Sequence, residues 1–231
     1  GMSAGFLGSK GKKFSTQLPK QRLLTDKKFD LLNQYLKSEN LNKEDASFNQ
    51  TINSALKNLE KISDKRLAVD NLNIAPKLAI AYYTNINRDL LDSIAMIAVL
   101  SKEASVTRAS TAYVNFLESK ERAGIERAVL ANTFGQGFFG KGLFRKFSDL
   151  VTQQTTYLKV FKTLAGDKEV QFFDSKLSGK DVDAVNKFRK IAYNNKGNKS
   201  KSINADASKW FKVSTARINL LKEIEDKLSE N

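Results

Sequence analysis

The fold is decided by a charged stretch in the middle of the chain, residues 120–128, whose sequence is KERAGIERA. The stretch lies inside a strongly helical pattern, because apolar residues on both sides recur at the spacing of one helix face. These flanking residues are Tyr113, Phe116, Leu117, Ala131 and Phe134. At about 100° per residue, Gly124 and Ala128 fall at the centre of that face. The pattern predicts a long helix that packs against a neighbour along this face.

The glycine at the centre of this face is unusual for a helix. It costs about 1 kcal/mol relative to alanine, a cost expected where the backbone of a second helix comes too close for a side chain. We therefore predict a close helix–helix contact at Gly124.

The charged residues of the same helix divide into two groups. Those predicted to point into solvent are Glu118, Arg122 and Glu126. Those within the edges of the apolar face are Lys120, Glu121 and Arg127. A charge at such a position is costly unless it is paired. Arg127 therefore either pairs with Glu121 or another acid, or marks the beginning of an anion site, and the spacing leaves both interpretations open.

Two further polar residues are predicted to face inward. Gln154 lies on the apolar face of one helix, and Arg217 lies on that of the last helix. Buried polar groups normally find partners. The structural alternatives to ligand binding are therefore that Gln154 bridges two helices and that Arg217 lies at the margin of its face.

The composition favours anionic partners and excludes several kinds of enzyme. The 231 residues include 39 Lys and Arg against 25 Asp and Glu, a net charge of +14, although such lysines also simply keep a helical surface soluble. A local basic run, residues 196–201, is predicted to be a flexible loop. The chain has no cysteine and no histidine, which removes thiolate and imidazole metal ligands and the commonest general base. We expect no enzyme activity, metal or cofactor.

Helical periodicity recurs along the chain without an alternating strand pattern, so the predicted fold class is all-α. No run of apolar residues approaches the length of a membrane span. The predicted helices begin near Pro19, Phe48, Pro76, Tyr113, Leu143, Asp167, Val182 and Asp206. Their number and lengths suit antiparallel helical bundles, and the sequence contains no recognisable domain linker.

The central stretch, together with FGQGF at residues 134–138, resembles the core motif of the NIT domain, the nitrate- and nitrite-sensing module of bacterial receptors. The resemblance extends over nearly the whole chain. It includes residues 3–11, Gln21-Arg22, Thr25-Asp26, Tyr83-Thr84, Ile86, Leu90-Leu91, Gln154, Phe161, Trp210-Phe211, Thr215 and Ile218. A Glu-Arg-Gly element usually precedes this region in the family. Since residues 1–5 lack the Glu-Arg, we expect that the chain is excised from a longer one and that a ligand-contacting residue lies outside it.

The resemblance implies a single sensor domain over residues 1–231, built of two stacked four-helix bundles and belonging to a longer membrane receptor. It also implies a periplasmic location and a small inorganic anion, nitrate or nitrite, as the ligand. A helix rearrangement would then be relayed across the membrane in signal transduction, as in a chemoreceptor. The receptor would be a homodimer held in the membrane by flanking spans outside this chain, and no nucleic acid is expected as a partner.

The resemblance also implies roles for individual residues, and Arg127, which lies in the best-matched motif, is the principal one. A guanidinium group is planar, permanently charged and offers parallel donors to two oxygens of a planar anion. The predicted ligand-binding residues are Arg127, Arg217, Gln154 and Tyr83, and the supporting residues are Gly124, Glu121 and Lys120. The amide of Gln154 and the hydroxyl of Tyr83 would supply neutral donors.

Two other function classes are the alternatives to a sensor. A basic helical protein could bind nucleic acid, but its aromatic residues fall on apolar faces instead of alternating with basic patches. An enzyme that uses pairs of acids would lack the Glu-x-x-His metal motif of helical bundles. The alternative function that we carry forward is nucleic-acid binding.

Overall fold

The computed structural model describes residues 2–38, 46–195 and 203–230, and within these ranges it contains ten helices and no strand. The prediction of an all-α fold is therefore confirmed. The helices are α1 (Met2–Gly8), α2 (Gln17–Ser38), α3 (Ala46–Glu60), α4 (Ile62–Asp70), α5 (Pro76–Leu100), α6 (Ala104–Gln136), α7 (Leu143–Leu164), α8 (Asp167–Lys176), α9 (Lys180–Asn194) and α10 (Ala207–Leu228). The predicted basic loop at residues 196–201 lies outside the described residues.

The chain divides into two compact units, residues 1–100 and residues 101–231. The N-terminal unit contains α1 to α5, and the C-terminal unit contains α6 to α10. No proline or glycine marks the division in the sequence. The single domain over residues 1–231 and the stacking of two four-helix bundles stay predictions.

The N-terminal unit is built around α5, against which α1 and α3 pack. The short helix α1 was not predicted, because it has only seven residues and two of them are glycines. Its position depends on one of these glycines: a Cβ atom at Gly5 would lie 2.4 Å from a ring carbon of Phe14. Lys61 separates α3 from α4, whereas the sequence predicts one helix beginning near Phe48 and no further helix before Pro76.

The C-terminal unit is built around α6, its longest helix, which packs along both α7 and α10. Aromatic residues dominate the core between these helices and α9, since these rings bury large apolar areas. They are Phe134, Phe147, Phe188 and Trp210. At the end of α6 the chain turns at Gly137 and enters α7 at Gly142, both with positive φ angles that glycine adopts without strain.

The predicted close contact at Gly124 is wrong. A Cβ atom at this position would meet no neighbouring heavy atom within 4 Å. The reason is the orientation of α6. Its buried face contains Ala123 and Glu126, and Gly124 lies at the margin of that face. Gly124 therefore lowers the helix propensity of α6 without serving a close approach.

Two negative findings hold for the residues that the structure describes. None of the helices there is long and apolar enough to cross a membrane. In the same residues, no group of acidic side chains is arranged to hold a metal ion.

Candidate functional site

The interior of the C-terminal unit contains a cluster of four polar side chains, each from a different helix. Glu126 comes from α6, Gln154 from α7, Arg189 from α9 and Arg217 from α10. Glu126, Gln154 and Arg217 are only 1%, 2% and 6% exposed. Gln154 and Arg217 face inward as the periodicity predicted. We call these four residues the buried polar cluster.

Glu126 and Arg189 form the tightest contact in the cluster. Arg189 Nε donates to Glu126 Oε1 and Arg189 Nη2 donates to Glu126 Oε2, both at 2.7 Å. Two parallel bonds of this kind combine charge with fixed geometry and join α9 to α6. Glu126 was predicted to point into solvent, and this prediction is wrong because Arg189 supplies the counter-charge that lets the carboxylate be buried.

Gln154 connects the rest of the cluster through both ends of its amide. Its Nε2 donates to Glu126 Oε2 at 2.8 Å and to the carbonyl oxygen of Leu150 at 3.2 Å. Its Oε1 accepts from Arg189 Nη2 at 2.9 Å and from Arg217 Nη1 at 3.1 Å. Gln154 is therefore the bridge between helices that was considered as its structural role, and it also orients Arg217.

The cluster carries an excess of positive charge in a buried place. Two guanidinium groups face a single carboxylate, which leaves one positive charge uncompensated within the cluster. The pKa of Arg217 is lowered to about 10, chiefly by burial and then by the like charge of Arg189, against the opposing effect of Glu126. Burial also acts on Arg189, but the hydrogen bonds and charge of Glu126 outweigh it and raise the pKa of Arg189. The positive charge on Arg217 is the less stabilised of the two.

Sequence reasoning missed Glu126 and Arg189, although a regular spacing marks each of them. The buried face of α6 follows alternating steps of three and four residues, and Glu126 occupies one of these steps. Its buried residues at that spacing are Phe116, Ser119, Ala123, Glu126, Leu130 and Thr133. Arg189 lies four residues after the buried Val185 and three before the buried Ala192. Neither residue was predicted to face inward, because a charged side chain is usually exposed to solvent.

Arg127 lies half-buried on α6 and contacts a different face of α10 from the one that carries Arg217. Its Nη1 donates to Thr215 Oγ1 at 2.9 Å, and its guanidinium lies over the ring of Phe211 at 5.0 Å from the centroid. Its Nε is buried and has no hydrogen-bond partner among the described residues. Burial lowers the pKa of Arg127, and the charge of Glu121 partly counters this effect.

The remaining residues of the predicted set are spread over both units. Lys120 forms an ion pair with Glu225 of α10, so the pairing expected of a charge at the edge of the face is present. Tyr83 belongs to α5 of the N-terminal unit, where its ring lies edge-on to Tyr82 at a centroid distance of 5.3 Å. The structure thus joins Gln154 with Arg217 and places Arg127 of α6 against another face of α10.

Comparisons with known proteins agree with this architecture. The chain matches a family model described as NIT, nitrate and nitrite sensing, over residues 1–231. The solved structure of the NasR transcription antiterminator has a similar fold, with a TM-score of 0.89 at 22% sequence identity. That match covers 98% of this chain and 60% of the NasR chain, so this chain spans about three fifths of the length of that protein. No curated protein shows significant sequence similarity.

Proposed function

Because this chain belongs to the NIT family of nitrate- and nitrite-sensing domains, we propose that its C-terminal unit binds nitrate or nitrite at Arg217. The observation that carries this proposal is the uncompensated positive charge of the buried polar cluster. Unpaired charge in a protein interior is costly. A single monovalent anion beside Arg217 neutralises it.

The chemistry of the ligand suits an arginine held in this way. Nitrate is planar and monovalent, and a guanidinium group offers parallel N–H donors in one plane to two oxygens. Arg217 Nη1 donates a hydrogen bond of 3.1 Å to Gln154 Oε1, and this bond fixes the orientation of the guanidinium plane. Gln154 is itself held by Glu126 and Arg189, so the donor geometry is set before the anion arrives.

Arg127 is a second proposed anion contact. Its buried Nε and the hydroxyl of Thr215 offer donors on one side of α10. The negative charge of Glu121 already acts on Arg127, whereas Arg217 is next to another positive charge. We therefore assign the principal contact to Arg217 and a weaker contribution to Arg127. Tyr83 belongs to the N-terminal unit, so its hydroxyl is not part of this proposed site and stays a separate prediction from the sequence, to be tested by Tyr83→Phe.

Calorimetric titration of nitrate and nitrite tests this proposal. Wild-type protein is compared with Arg217→Gln, Arg127→Gln and Arg145→Gln. Arg145 is the matched control, because its side chain is 89% exposed and the substitution removes the same charge. We expect loss of binding for Arg217→Gln, a smaller loss for Arg127→Gln and none for Arg145→Gln. Equal affinity in wild type and Arg217→Gln would contradict the assignment.

The proposed signal is a movement of α10. This helix carries Arg217 and is joined to α6 by the ion pair between Lys120 and Glu225. An anion that binds one arrangement of these helices better than another shifts the equilibrium between them. Distances between spin labels on α6 and α10, measured with and without nitrate, test the movement.

The output that such a movement controls depends on the protein that carries the domain. The sequence resemblance supports a homodimeric, periplasmic sensor of a membrane chemoreceptor, and we propose this host for the chain. The structure with the similar fold belongs to a transcription antiterminator, so a host of another kind is the competing proposal. The family description supports a sensing role over direct nucleic-acid binding. Fractionation of cells that express the full-length protein separates a membrane-bound host from one that is not.

A further inference from the structure

The cluster holds one negatively charged residue, Glu126, whose role the proposed anion contact does not explain. We infer that Glu126 sets the charge selectivity of the site, so that the site accepts a monovalent anion and rejects a divalent one such as sulfate. This inference rests on the anion site proposed at Arg217. It assigns to Glu126 the role of a specificity-determining residue that acts through charge and not through contact with the ligand.

The carboxylate of Glu126 is held in a fixed position. Both of its oxygens accept hydrogen bonds from Arg189, and Oε2 also accepts from Gln154. Glu126 is 1% exposed, so it cannot turn into solvent to escape an incoming anion. Any ligand of Arg217 therefore meets a carboxylate that keeps its position.

The balance of charge in the cluster favours a monovalent anion. With Glu126 ionised, Arg189 and Arg217 leave the cluster one positive charge, which one monovalent anion neutralises. A divalent anion of similar size would instead leave one negative charge buried beside the carboxylate. Uncompensated charge in a low-dielectric interior is costly, so the wild-type cluster disfavours sulfate. Without the charge of Glu126 the balance moves by one unit, and the divalent anion becomes the one that neutralises the cluster.

Anion affinities distinguish this role of Glu126 from a purely structural one. Glu126 touches Arg189 and Gln154, and it acts on Arg217 through its charge. A structural role predicts that its loss weakens all anions alike. A charge-selective role predicts that its loss strengthens sulfate binding more than nitrate binding, because a divalent anion is repelled by the carboxylate about twice as strongly as a monovalent one.

The experiment measures nitrate and sulfate affinity by calorimetry, with thermal shift as a second readout, in wild type and Glu126→Gln. We expect the ratio of sulfate to nitrate affinity to rise by roughly tenfold to a hundredfold, because one unit charge within several ångströms acts through an effective dielectric constant of about 20. Glu223→Gln is the matched control, since this side chain on α10 is 54% exposed and loses the same charge. Its ratio should equal that of wild type.

A second variant tests the inference even if Glu126→Gln alone disturbs the fold. Glu126→Gln combined with Arg189→Gln returns the cluster to one positive charge and leaves no unpaired partner, so its preference should return toward nitrate. The wild-type protein is a further check that needs no substitution: sulfate must bind more weakly than nitrate. If wild type binds both equally, the inference is wrong.

The possible results also separate this inference from the proposed function. Nitrate binding with an unchanged ratio in Glu126→Gln would overturn the inference and leave the proposed function standing. A gain of sulfate binding in Glu126→Gln, with no nitrate or nitrite binding in wild type, would support the charge role and overturn the proposed ligand. No binding of any anion by any of these folded proteins would overturn both.

Discussion

Arg189 on α9 holds Glu126 on α6 through two parallel hydrogen bonds of 2.7 Å in the interior of the C-terminal unit. This pair also positions the rest of the buried polar cluster. Gln154 donates to the same carboxylate, and its amide oxygen accepts a hydrogen bond from Arg217. The stability of the unit and the chemistry of its candidate site therefore depend on the same contact.

The first prediction concerns the stability of this pair. Arg189→Met leaves the buried carboxylate of Glu126 without its hydrogen-bonded counter-charge, and we expect a loss of roughly 3–5 kcal/mol in the free energy of unfolding. The double variant Glu126→Gln with Arg189→Met removes both charges and should recover most of that loss. Urea unfolding curves measure the difference. Equal destabilisation of the single and double variants would show that the pair is not coupled.

The second prediction concerns Gly124. Since a Cβ atom there meets no neighbour within 4 Å, Gly124→Ala should stabilise the protein by up to about 1 kcal/mol through helix propensity. Gly5→Ala is the contrasting variant, because its Cβ would lie 2.4 Å from the ring of Phe14. Differential scanning calorimetry should show a higher melting temperature for the first variant and a lower one for the second. A lower melting temperature for Gly124→Ala would restore the close contact expected from the sequence.

Local periodicity is visible in this sequence, whereas the pairing of buried charges is not. Long helices such as α5, α6 and α7 were predictable because their apolar faces repeat over many turns. Periodicity also placed Gln154 and Arg217 inward. The same spacing fits Glu126 and Arg189, but a charged side chain is buried only if it has a partner, and the partner of Glu126 lies 63 residues away, where the sequence does not identify it. The orientation of such a pair is fixed by tertiary packing, and so was the open space beside Gly124.

The third prediction uses the single tryptophan of the chain, Trp210, which is buried on α10. Its Nε1 donates to the backbone oxygen of Arg127 at 2.9 Å. Trp210→Phe should cost about 1–3 kcal/mol, because it removes this hydrogen bond and part of the core volume. In the wild type we expect weak quenching of its fluorescence by acrylamide. Quenching as strong as in the urea-unfolded chain would contradict the burial of Trp210.

The fourth prediction is the pH dependence of anion binding. The pKa of Arg217 is lowered to about 10, so Arg217 keeps its charge at neutral pH and loses it as pH rises through this value. Nitrate affinity should be constant from about pH 6 to about pH 9 and fall above that range, since the chain has no histidine to titrate within it. Calorimetry in buffers of matched ionic strength measures this profile, and a decline between about pH 6 and about pH 8 would contradict it.

The same shift has a consequence for folding. Because the pKa of Arg217 is lower in the folded chain than in the unfolded chain, its charge opposes folding below that value. This unfavourable contribution diminishes as pH rises through about 10. Arg217→Met should therefore stabilise the anion-free protein at neutral pH, or leave it unchanged, while it abolishes stabilisation by nitrate. Destabilisation of the anion-free protein as large as that of Arg189→Met would show that the charge of Arg217 is already compensated.

The most direct test of the central claim is the position of the anion itself. A crystal structure of the protein grown with nitrate should show the ion beside Arg217, with nitrate oxygens about 2.7–3.2 Å from the guanidinium nitrogens. Bromide, whose anomalous scattering identifies it, provides an independent marker of the same position. Nitrate bound at another place, with Arg217 contacting only the side chains of the cluster, would contradict the account.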